Sequence, residues 1–226
     1  MDALQLLNSL KDECGIVTPD FTAVTGLTGE GARLWGWIKQ AWVSIQIMKD
    51  DWEFLRATKT FTTTALKQEY TLSDLSLTTT FGQWKSDSFR LYLTSAGVKN
   101  EILLEQWEYN SYRNYYLLGA RKETYGRPVV ISVTPTRSLS LGLPPNDDYT
   151  VTGEYFTAPV TLAAKTDTPT MPAKFHMMIV YKGMMYYGGY ESAPEVYQRG
   201  KELFGEFLDS LMVDQCPTVI GAGSLI

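Results

Sequence analysis

The segment GARLWGWIKQAWVSIQIMKDDWEFLR, residues 31–56, contains four of the six tryptophans of the chain. Its apolar residues recur at alternating intervals of four and three, which is the spacing of one face of an α-helix. This stripe consists of Leu34, Ile38, Ala41, Ile45, Met48 and Trp52. At 1.5 Å per residue over about 22 residues, the pattern predicts a helix of roughly 33 Å with one side in a core.

The four tryptophans differ in their position relative to this stripe. Trp42 and Trp52 lie on the stripe or beside it, and we expect both in the core. Trp35 and Trp37 fall on its N-terminal flank, where helical periodicity assigns them no burial. Tryptophan is enriched both in cores and at the anchors of protein interfaces, so these two residues are candidates for binding.

Three further segments are predicted to be helical, and they comprise residues 3–14, residues 173–189 and the segment that follows Ser192 and ends at Cys216-Pro217. The first stops before Gly15, a typical C-cap. The second begins behind Pro172 and is apolar on nearly all sides, which predicts a buried helix. The third is predicted to start with a capping box that pairs Ser192 with Glu195.

The middle of the chain changes to the alternating pattern of β-strands. We predict a Thr-rich hairpin around ALKQ and four further strands, and these segments are residues 58–72, 88–95, 128–135, 138–143 and 149–159. Residues 101–118 are ambiguous, because their first part could be a strand, but Trp107, Tyr112 and Tyr115 favour a short helix. The middle is therefore predicted to be a β module of five or six strands.

Helices at both ends and strands between them predict an α+β fold. The terminal helices can bury their apolar faces only against one another, so we expect a helical bundle with an inserted antiparallel β module. The predicted division is 1–57 for the N-terminal helices, 58–160 for the β module, and 161–226 for the C-terminal helices and a short apolar tail.

Composition narrows the class of protein. The 226 residues are 44% hydrophobic and 20% charged, which is typical of a globular protein with a core of its own. The sequence has neither a secretory signal nor a membrane span, so we expect a protein of the cytoplasm with reduced cysteines. The net charge of −5 and the absence of a Lys/Arg-rich stretch argue against a grip on duplex DNA.

The sequence offers little for catalysis. His176 is the only histidine, in a segment apolar on nearly all sides, and we interpret it as a buried structural residue. The adjacent pairs Asp50-Asp51 and Asp147-Asp148 are poorly placed to flank one scissile bond, because sequence neighbours point apart. We therefore expect no enzyme, no cofactor and no metal site.

The order of elements, with their local sequences, resembles a known family. The relevant segments are a first helix closing on ECG, the helix ARLWGWIKQAWVSIQIMKDDWEFLR, a Thr-rich hairpin, GRPVVISVTP, the hairpin PPNDDYTVTGEYFTAP, DTPTMPAKFHMMIVYKG and a last helix ending LDSLMVDQCP. Together they resemble the head-to-tail adaptor proteins of tailed bacteriophages, including the tail tubular protein A, or gatekeeper, group. The similarity extends over nearly the whole chain.

This resemblance implies a structural protein of the virion that is assembled in the host cytoplasm. Such adaptors form a homo-oligomeric ring, typically of twelve subunits, at the head-tail junction. The helical part docks on the portal protein, and the β part faces the next tail component, a nozzle or tail tube protein. DNA passes through the lumen without specific binding, which suits an acidic chain.

By analogy with the family, three groups of residues are candidates for contacts with other proteins. The candidate subunit interface is Trp35 and Trp37, and replacing either with alanine is expected to weaken assembly more than folding. The candidate portal contacts are Val219, Ile220, Leu225 and Ile226. The candidate tail-facing turns are Asn146, Asp147 and Asp148, together with the ALKQ turn at 65–68.

Two other functions are compatible with the same sequence. The aromatic surplus and the β module would also fit a tail protein that binds or degrades carbohydrate, with Asp147, Asp148 or Glu154 as the residues to test. A tail terminator or a stopper ring is the other alternative, because its sequence requirements are the same as those of an adaptor.

Overall fold

The computed structural model describes residues 1–215. The chain forms two compact units, which we call the helical unit, Met1–Leu55 with the chain from Pro159 onward, and the β unit, Arg56–Ala158. Four of the five helices lie in the helical unit, and all nine strands of the described residues lie in the β unit. The predicted α+β class is confirmed.

The helices are α1 Ala3–Glu13, α2 Gly29–Ile47, α3 Tyr109–Tyr116, α4 Met177–Tyr190 and α5 Pro194–Gln215. The strands are β1 Arg56–Thr62, β2 Glu69–Tyr70, β3 Phe81–Trp84, β4 Arg90–Leu93, β5 Ile102–Leu103, β6 Glu105–Trp107, β7 Val130–Val133, β8 Leu139–Leu141 and β9 Tyr149–Thr157. Short 3-10 segments lie at Glu53–Leu55, Val98–Asn100, Gly119–Glu123 and Ala173–Phe175.

Local sequence fixes both ends of α1. At its start the carboxylate of Asp2 accepts from the amide of Gln5, and the Gln5 side chain accepts from the amide of Asp2. This capping box satisfies two amides that have no partner within the helix. At its end Gly15 has φ +70°, the left-handed conformation that glycine adopts without strain. Its amide and that of Ile16 bond back to the last turn, so the predicted glycine C-cap is confirmed.

Helix α2 is shorter than its apolar stripe predicts. It ends at Ile47, so Met48 is 42% exposed and Trp52 lies beyond the helix. Trp52 is nevertheless fully buried, because the chain turns back and its indole Nε1 donates to the carbonyl of Ile45 at 3.0 Å. The same carbonyl accepts from the amide of Met48, so the indole adds a second hydrogen bond at the end of the helix. The tryptophan therefore continues the core while it ends the helix.

Helix α4 is the centre of the helical unit, as its apolar composition predicts, and it packs against α1, α2 and α5. Glycines allow the close approaches. A Cβ on Gly183 would lie 3.0 Å from Leu10 of α1, and one on Gly188 would lie 2.6 Å from the backbone nitrogen of Tyr197 in α5. On the α5 side, a Cβ on Gly200 would lie 2.9 Å from the carbonyl oxygen of Tyr181.

The predicted capping box of the last helix is wrong. Helix α5 begins at Pro194, and Ala193 is the residue whose carbonyl accepts the first helical bond, from Tyr197. Ser192 has φ +55°, a left-handed conformation, and it belongs to the tight turn between α4 and α5. Proline is favoured in the first helical position because its missing N–H would have no partner there. The boundary is thus set by the proline and the turn.

The β unit contains two sheets. In the five-stranded sheet, β9 is central and pairs with β1, β3 and β4, while β5 extends the sheet beyond β4. The four-stranded sheet has the order β2-β8-β7-β6, with one parallel pair, β6 with β7. Apolar side chains of both sheets, among them Trp84, Leu91, Ile131 and Val151, form one core.

Two predicted hairpins are wrong. Residues 58–72 do not form a hairpin around ALKQ, because β1 pairs with β9 and β2 pairs with β8 in the other sheet. The turn at residues 144–148 likewise connects the two sheets, since β8 and β9 do not pair with each other. Alternation specifies which face of a strand is buried but leaves its partner strand open. The strands predicted at 128–135 and 138–143 are present as β7 and β8, and these two strands pair antiparallel.

The ambiguous segment 101–118 contains both kinds of structure. Its first part forms β5 and β6, and Trp107 lies at the end of β6, while Tyr112 and Tyr115 belong to α3. Tyr112 is fully buried, and its hydroxyl donates to the carbonyl of Leu141 at 2.8 Å. Burial raises its pKa to about 12, so the hydroxyl stays protonated as a donor.

Candidate assembly surfaces

Two of the four tryptophans of residues 31–56 are core residues, as predicted. Trp42 and Trp52 are fully buried, and Phe54 stacks against both, with ring centroids 6.1 and 5.6 Å away. Trp35 is also largely buried, at 8% exposure, and the amino group of Lys39 lies 5.6 Å from its ring centroid. Three of the four tryptophans therefore contribute to the interior of the helical unit.

Trp37 is different, because it lies half-buried within an aromatic group that reaches the surface. Its ring meets that of Tyr187 edge-on at 6.0 Å and lies 5.6 Å from that of Tyr190. Tyr190 is 58% exposed, and the guanidinium of Arg33 stands over its ring at 5.0 Å. We call Arg33, Trp37, Tyr187 and Tyr190 the Trp37 patch. Arginine and aromatic side chains of this kind are the usual anchors of protein interfaces.

A shallow groove runs along α2 beside this patch. It has a volume of about 460 Å³ and is lined by Lys39, Gln40, Val43, Ser44, Ile47, Thr161 and Tyr186. Ile47 is 60% exposed there, and the neighbouring Val160 is exposed as well. We call this the α2 groove. A groove lined by both apolar and polar side chains is typical of a surface that binds protein.

The two turns that are candidates for the tail-facing end meet in the structure. The amide of Leu66, in the ALKQ turn, donates to the carbonyl of Pro145 at 2.8 Å. Asn146, Asp147 and Asp148 are exposed beside it. The side chain of Asn146 accepts from the hydroxyl of Tyr149, and that of Asp147 accepts from the amide of Asp148. Two turns that lie 79 positions apart in the chain, counted from Leu66 to Pro145, thus form one exposed edge of the β unit.

The candidate portal contacts Val219, Ile220, Leu225 and Ile226 lie outside the described residues. The last described turn of α5 borders a second open groove, of about 680 Å³, lined by Lys174, Phe175, Asp209, Ser210, Val213 and Asp214. Val213 is 87% exposed, and Lys174 forms an ion pair with Asp214 at the edge of this groove.

His176 has a structural environment, as its position in an apolar segment predicts. It is buried, its Nδ1 accepts from the N-terminal amino group at 2.7 Å, and its Nε2 donates to the carbonyl of Met171 at 3.0 Å. Burial lowers the pKa of the imidazole, so the neutral ring is favoured. Both ring nitrogens are therefore engaged in holding the chain start and the connector before α4.

Glu154, a residue to test for carbohydrate chemistry, is held by cations of the same unit. Its carboxylate forms ion pairs with Arg56 at 2.5 Å and Lys85 at 3.0 Å. Burial raises the pKa of this carboxyl, but the hydrogen bonds from Lys85 and Arg56 outweigh that effect and lower it overall. A general acid needs a raised pKa, so this arrangement suits a structural ion pair better than catalysis.

Residues 1–215 contain no group of three or more His, Cys, Asp or Glu side chains that could hold a metal ion. Within the same range, no helix is long and apolar enough to span a bilayer.

Sequence reasoning missed several of the residues that build these surfaces. Arg33 and Tyr190 complete the Trp37 patch, and Lys39 and Ile47 line the α2 groove. The sequence did contain a signal for Arg33, Lys39 and Ile47, because a helical projection of residues 29–47 places all three away from the buried stripe. The partners from α4 become visible only once the helices are packed.

An aromatic patch, an apolar groove and a paired set of exposed turns are features of a protein that works through contacts with other proteins. Comparison with known families agrees with this class: a model described as SU10 adaptor protein matches residues 1–219, and the chain belongs to that family. It is therefore a structural adaptor protein of bacteriophages. A search of curated proteins found no match.

Proposed function

We propose that this chain is the subunit of a homo-oligomeric ring, of twelve copies, that joins the portal protein to the tail at the head-tail junction of a phage virion. The observation that carries the proposal is the family match over residues 1–219. The proposed role is structural and non-enzymatic, and the likeness to the tail tubular protein A, or gatekeeper, group is part of it. In this role the ring also forms part of the channel for DNA ejection.

Surface chemistry supports contacts between subunits. The Trp37 patch offers a rigid aromatic surface that Arg33 extends. Burying this surface in a subunit contact is favourable, because a large apolar area is removed from water while the rigid rings lose little conformational entropy. Trp37 is the better anchor of the two candidate tryptophans, since Trp35 is already buried within one copy of the chain.

Net charge supports a channel that DNA passes without binding. The chain carries −5 at neutral pH, and exposed carboxylates repel the phosphates that a DNA-binding surface would neutralise with clustered cations. In this proposal the portal is contacted through Val219, Ile220, Leu225 and Ile226. The edge formed by the ALKQ turn and residues 146–148 faces the next tail component, a nozzle or tail tube protein.

The experiment uses the purified full chain, alone and mixed with the portal protein of its phage. Native mass spectrometry and negative-stain microscopy are expected to show rings of one size and a ring-portal complex. A chain that stays monomeric in both conditions would refute the proposal. Rings that bind an isolated tail tube but ignore the portal would instead identify a tail terminator.

Two alanine variants refine the test. Trp37→Ala is expected to weaken ring formation more than it lowers the free energy of unfolding of the monomer, because the half-buried ring keeps part of its surface for a partner. Trp35→Ala is expected to reduce both, because its ring is largely buried and its loss leaves a cavity. If Trp37→Ala leaves the rings intact, the Trp37 patch has no role between subunits.

A further inference from the structure

Helices α2 and α5 pack on different faces of α4. The α4 residues next to α5 are Tyr181, Met184 and Gly188, whereas those next to α2 are Tyr186, Tyr187 and Tyr190. At about 100° per residue, the mean directions of the two sets lie about 150° apart around α4. The outward faces of α2 and α5 are therefore on nearly opposite sides of the helical unit.

The outward face of α2 is basic and apolar. Between Gly31 and Met48 the charged residues are Arg33 and Lys39, with no acidic residue among them. Both lie on the outward side, Arg33 over Tyr190 and Lys39 at the α2 groove. Beyond Lys39 along the helix, Val43 and the exposed Ile47 form the apolar part of the groove.

The outward face of α5 is acidic and ends in an apolar residue. A helical projection places Glu202, Glu206, Asp209 and Val213 opposite the buried Gly200 and Phe204, and all four are exposed. Among residues 1–215, neither Glu206 nor Asp209 takes part in an ion pair within 4 Å. Val213 is the most exposed large hydrophobic residue of the helix.

The two faces match in charge and in spacing. At 1.5 Å per residue, Lys39 and Ile47 lie about 12 Å apart along α2, and Glu206 and Val213 lie about 10.5 Å apart along α5. When the two helices run parallel, a carboxylate can therefore stand opposite Lys39 while Val213 enters the apolar part of the α2 groove. Opposite charges at such a contact also steer association.

We infer that the outward face of α5 in one copy of the chain docks into the α2 groove of the next copy. The inference rests on the proposed ring and names its subunit contact. A contact between two different faces of identical subunits is heterologous, and it generates a closed ring when its rotation closes. Because the two faces lie on nearly opposite sides of the helical unit, each subunit can engage two neighbours at once.

The test is a charge-reversal cycle in the full chain. Lys39→Glu and Glu206→Lys each place like charges at the contact, and each is expected to raise the concentration needed for half-maximal ring formation about tenfold at low salt. The double variant K39E/E206K restores opposite charges and is expected to return ring formation to near the wild-type level. Lys201→Glu is the matched control, because it reverses a charge on the flank of the same helix and should leave assembly unchanged.

Light scattering and native mass spectrometry follow assembly, and circular dichroism verifies that every variant is folded. Added salt should reduce the effect of the single variants, because it screens exposed charges. Single variants that assemble like the wild type, or a folded double variant that fails to recover, would overturn the inference. The proposed function would still stand in that case if wild-type rings form, and it fails separately if the wild type never assembles with its portal.

Discussion

The contact between α4 and α5 allows a sharp test, because α5 contains one glycine inside the contact and one outside it. A Cβ on Gly200 would lie 2.9 Å from the Cβ of Met184 and 2.9 Å from the carbonyl oxygen of Tyr181. A Cβ on Gly205 would meet nothing within 4 Å. Gly200→Ala and Gly205→Ala therefore make the same chemical change in the same helix with opposite steric results.

The expected magnitudes follow from two terms. Alanine is favoured over glycine inside a helix by about 1 kcal/mol, and for Gly205→Ala this term acts alone, so the variant should be more stable by roughly that amount. At Gly200 the new methyl meets a backbone carbonyl that cannot move without shifting α4, and overpacking of this kind costs about 1–3 kcal/mol. The difference between the variants isolates this steric term, because the helix-propensity gain is common to both.

Urea unfolding followed by far-UV circular dichroism measures both variants, with unchanged m-values as the condition for comparing them. Gly200→Ala is expected to lie about 1–3 kcal/mol below Gly205→Ala in free energy of unfolding. Gly188→Ala and Gly189→Ala repeat the comparison in α4, since only Gly188 would bring a Cβ within 4 Å of other atoms, 2.6 Å from Tyr197. Equal shifts for Gly200→Ala and Gly205→Ala would show that the close approach of α4 and α5 is not what Gly200 maintains.

Three further outcomes are expected. Asp2→Ala removes the capping box with Gln5 and should lower the free energy of unfolding by about 1 kcal/mol. Burial, with a smaller effect from nearby carboxylates, raises the pKa of Cys14 to about 12, so in peptide mapping at mildly alkaline pH its alkylation should be slow in the native chain and fast in urea. The hydrogen bond from Lys67, assisted by Thr71, lowers the pKa of Asp74 to about 2, so the stabilisation by this carboxylate is present above its unfolded pKa and disappears as the pH falls toward 2.

Each of these three predictions would be contradicted by a specific result. Asp2→Asn is the control for the cap, because it keeps an acceptor, and an equal loss in both variants would argue against the cap hydrogen bond. Rapid alkylation of Cys14 in the native chain would contradict its burial. For Asp74, a carboxyl titration near pH 4 in nuclear magnetic resonance spectra would show that the bond from Lys67 does not form in solution.

Local sequence patterns were sufficient to predict whether most segments are helices or strands, and where several of these elements end. The glycine after α1, the apolar character of α4 and the strands at 130–133, 139–141 and 149–157 agree with the predictions from the sequence. These features depend on residues close together in the chain, such as a glycine in a left-handed conformation or a run of alternating side chains.

The errors share one cause, which is dependence on contacts distant in the chain. The spacing of Trp52 fits the helical stripe, so the sequence predicted that α2 extends to this residue. In the structure α2 ends at Ile47, and the indole of Trp52 donates back to the carbonyl of Ile45. The buried Gln46 holds both backbone groups of Val160, 114 residues away, a pairing that no local pattern signals. Strand partners were wrong for the same reason, because alternation is satisfied equally well by any partner with the right buried face.

The sequence by itself determined the α+β class, the helical stripe of residues 34–45 and the acidic net charge, because these depend on composition and local periodicity. The resemblance to phage adaptors also came from the sequence, through the order of its elements and their local sequences. Tertiary structure alone decided that Trp35 is buried while Trp37 joins Tyr187 and Tyr190 at the surface. It also decided that the ALKQ turn adjoins Pro145. The physical reason is that a side chain's exposure and neighbours depend on which elements pack together, and packing is settled by contacts among residues far apart in the chain.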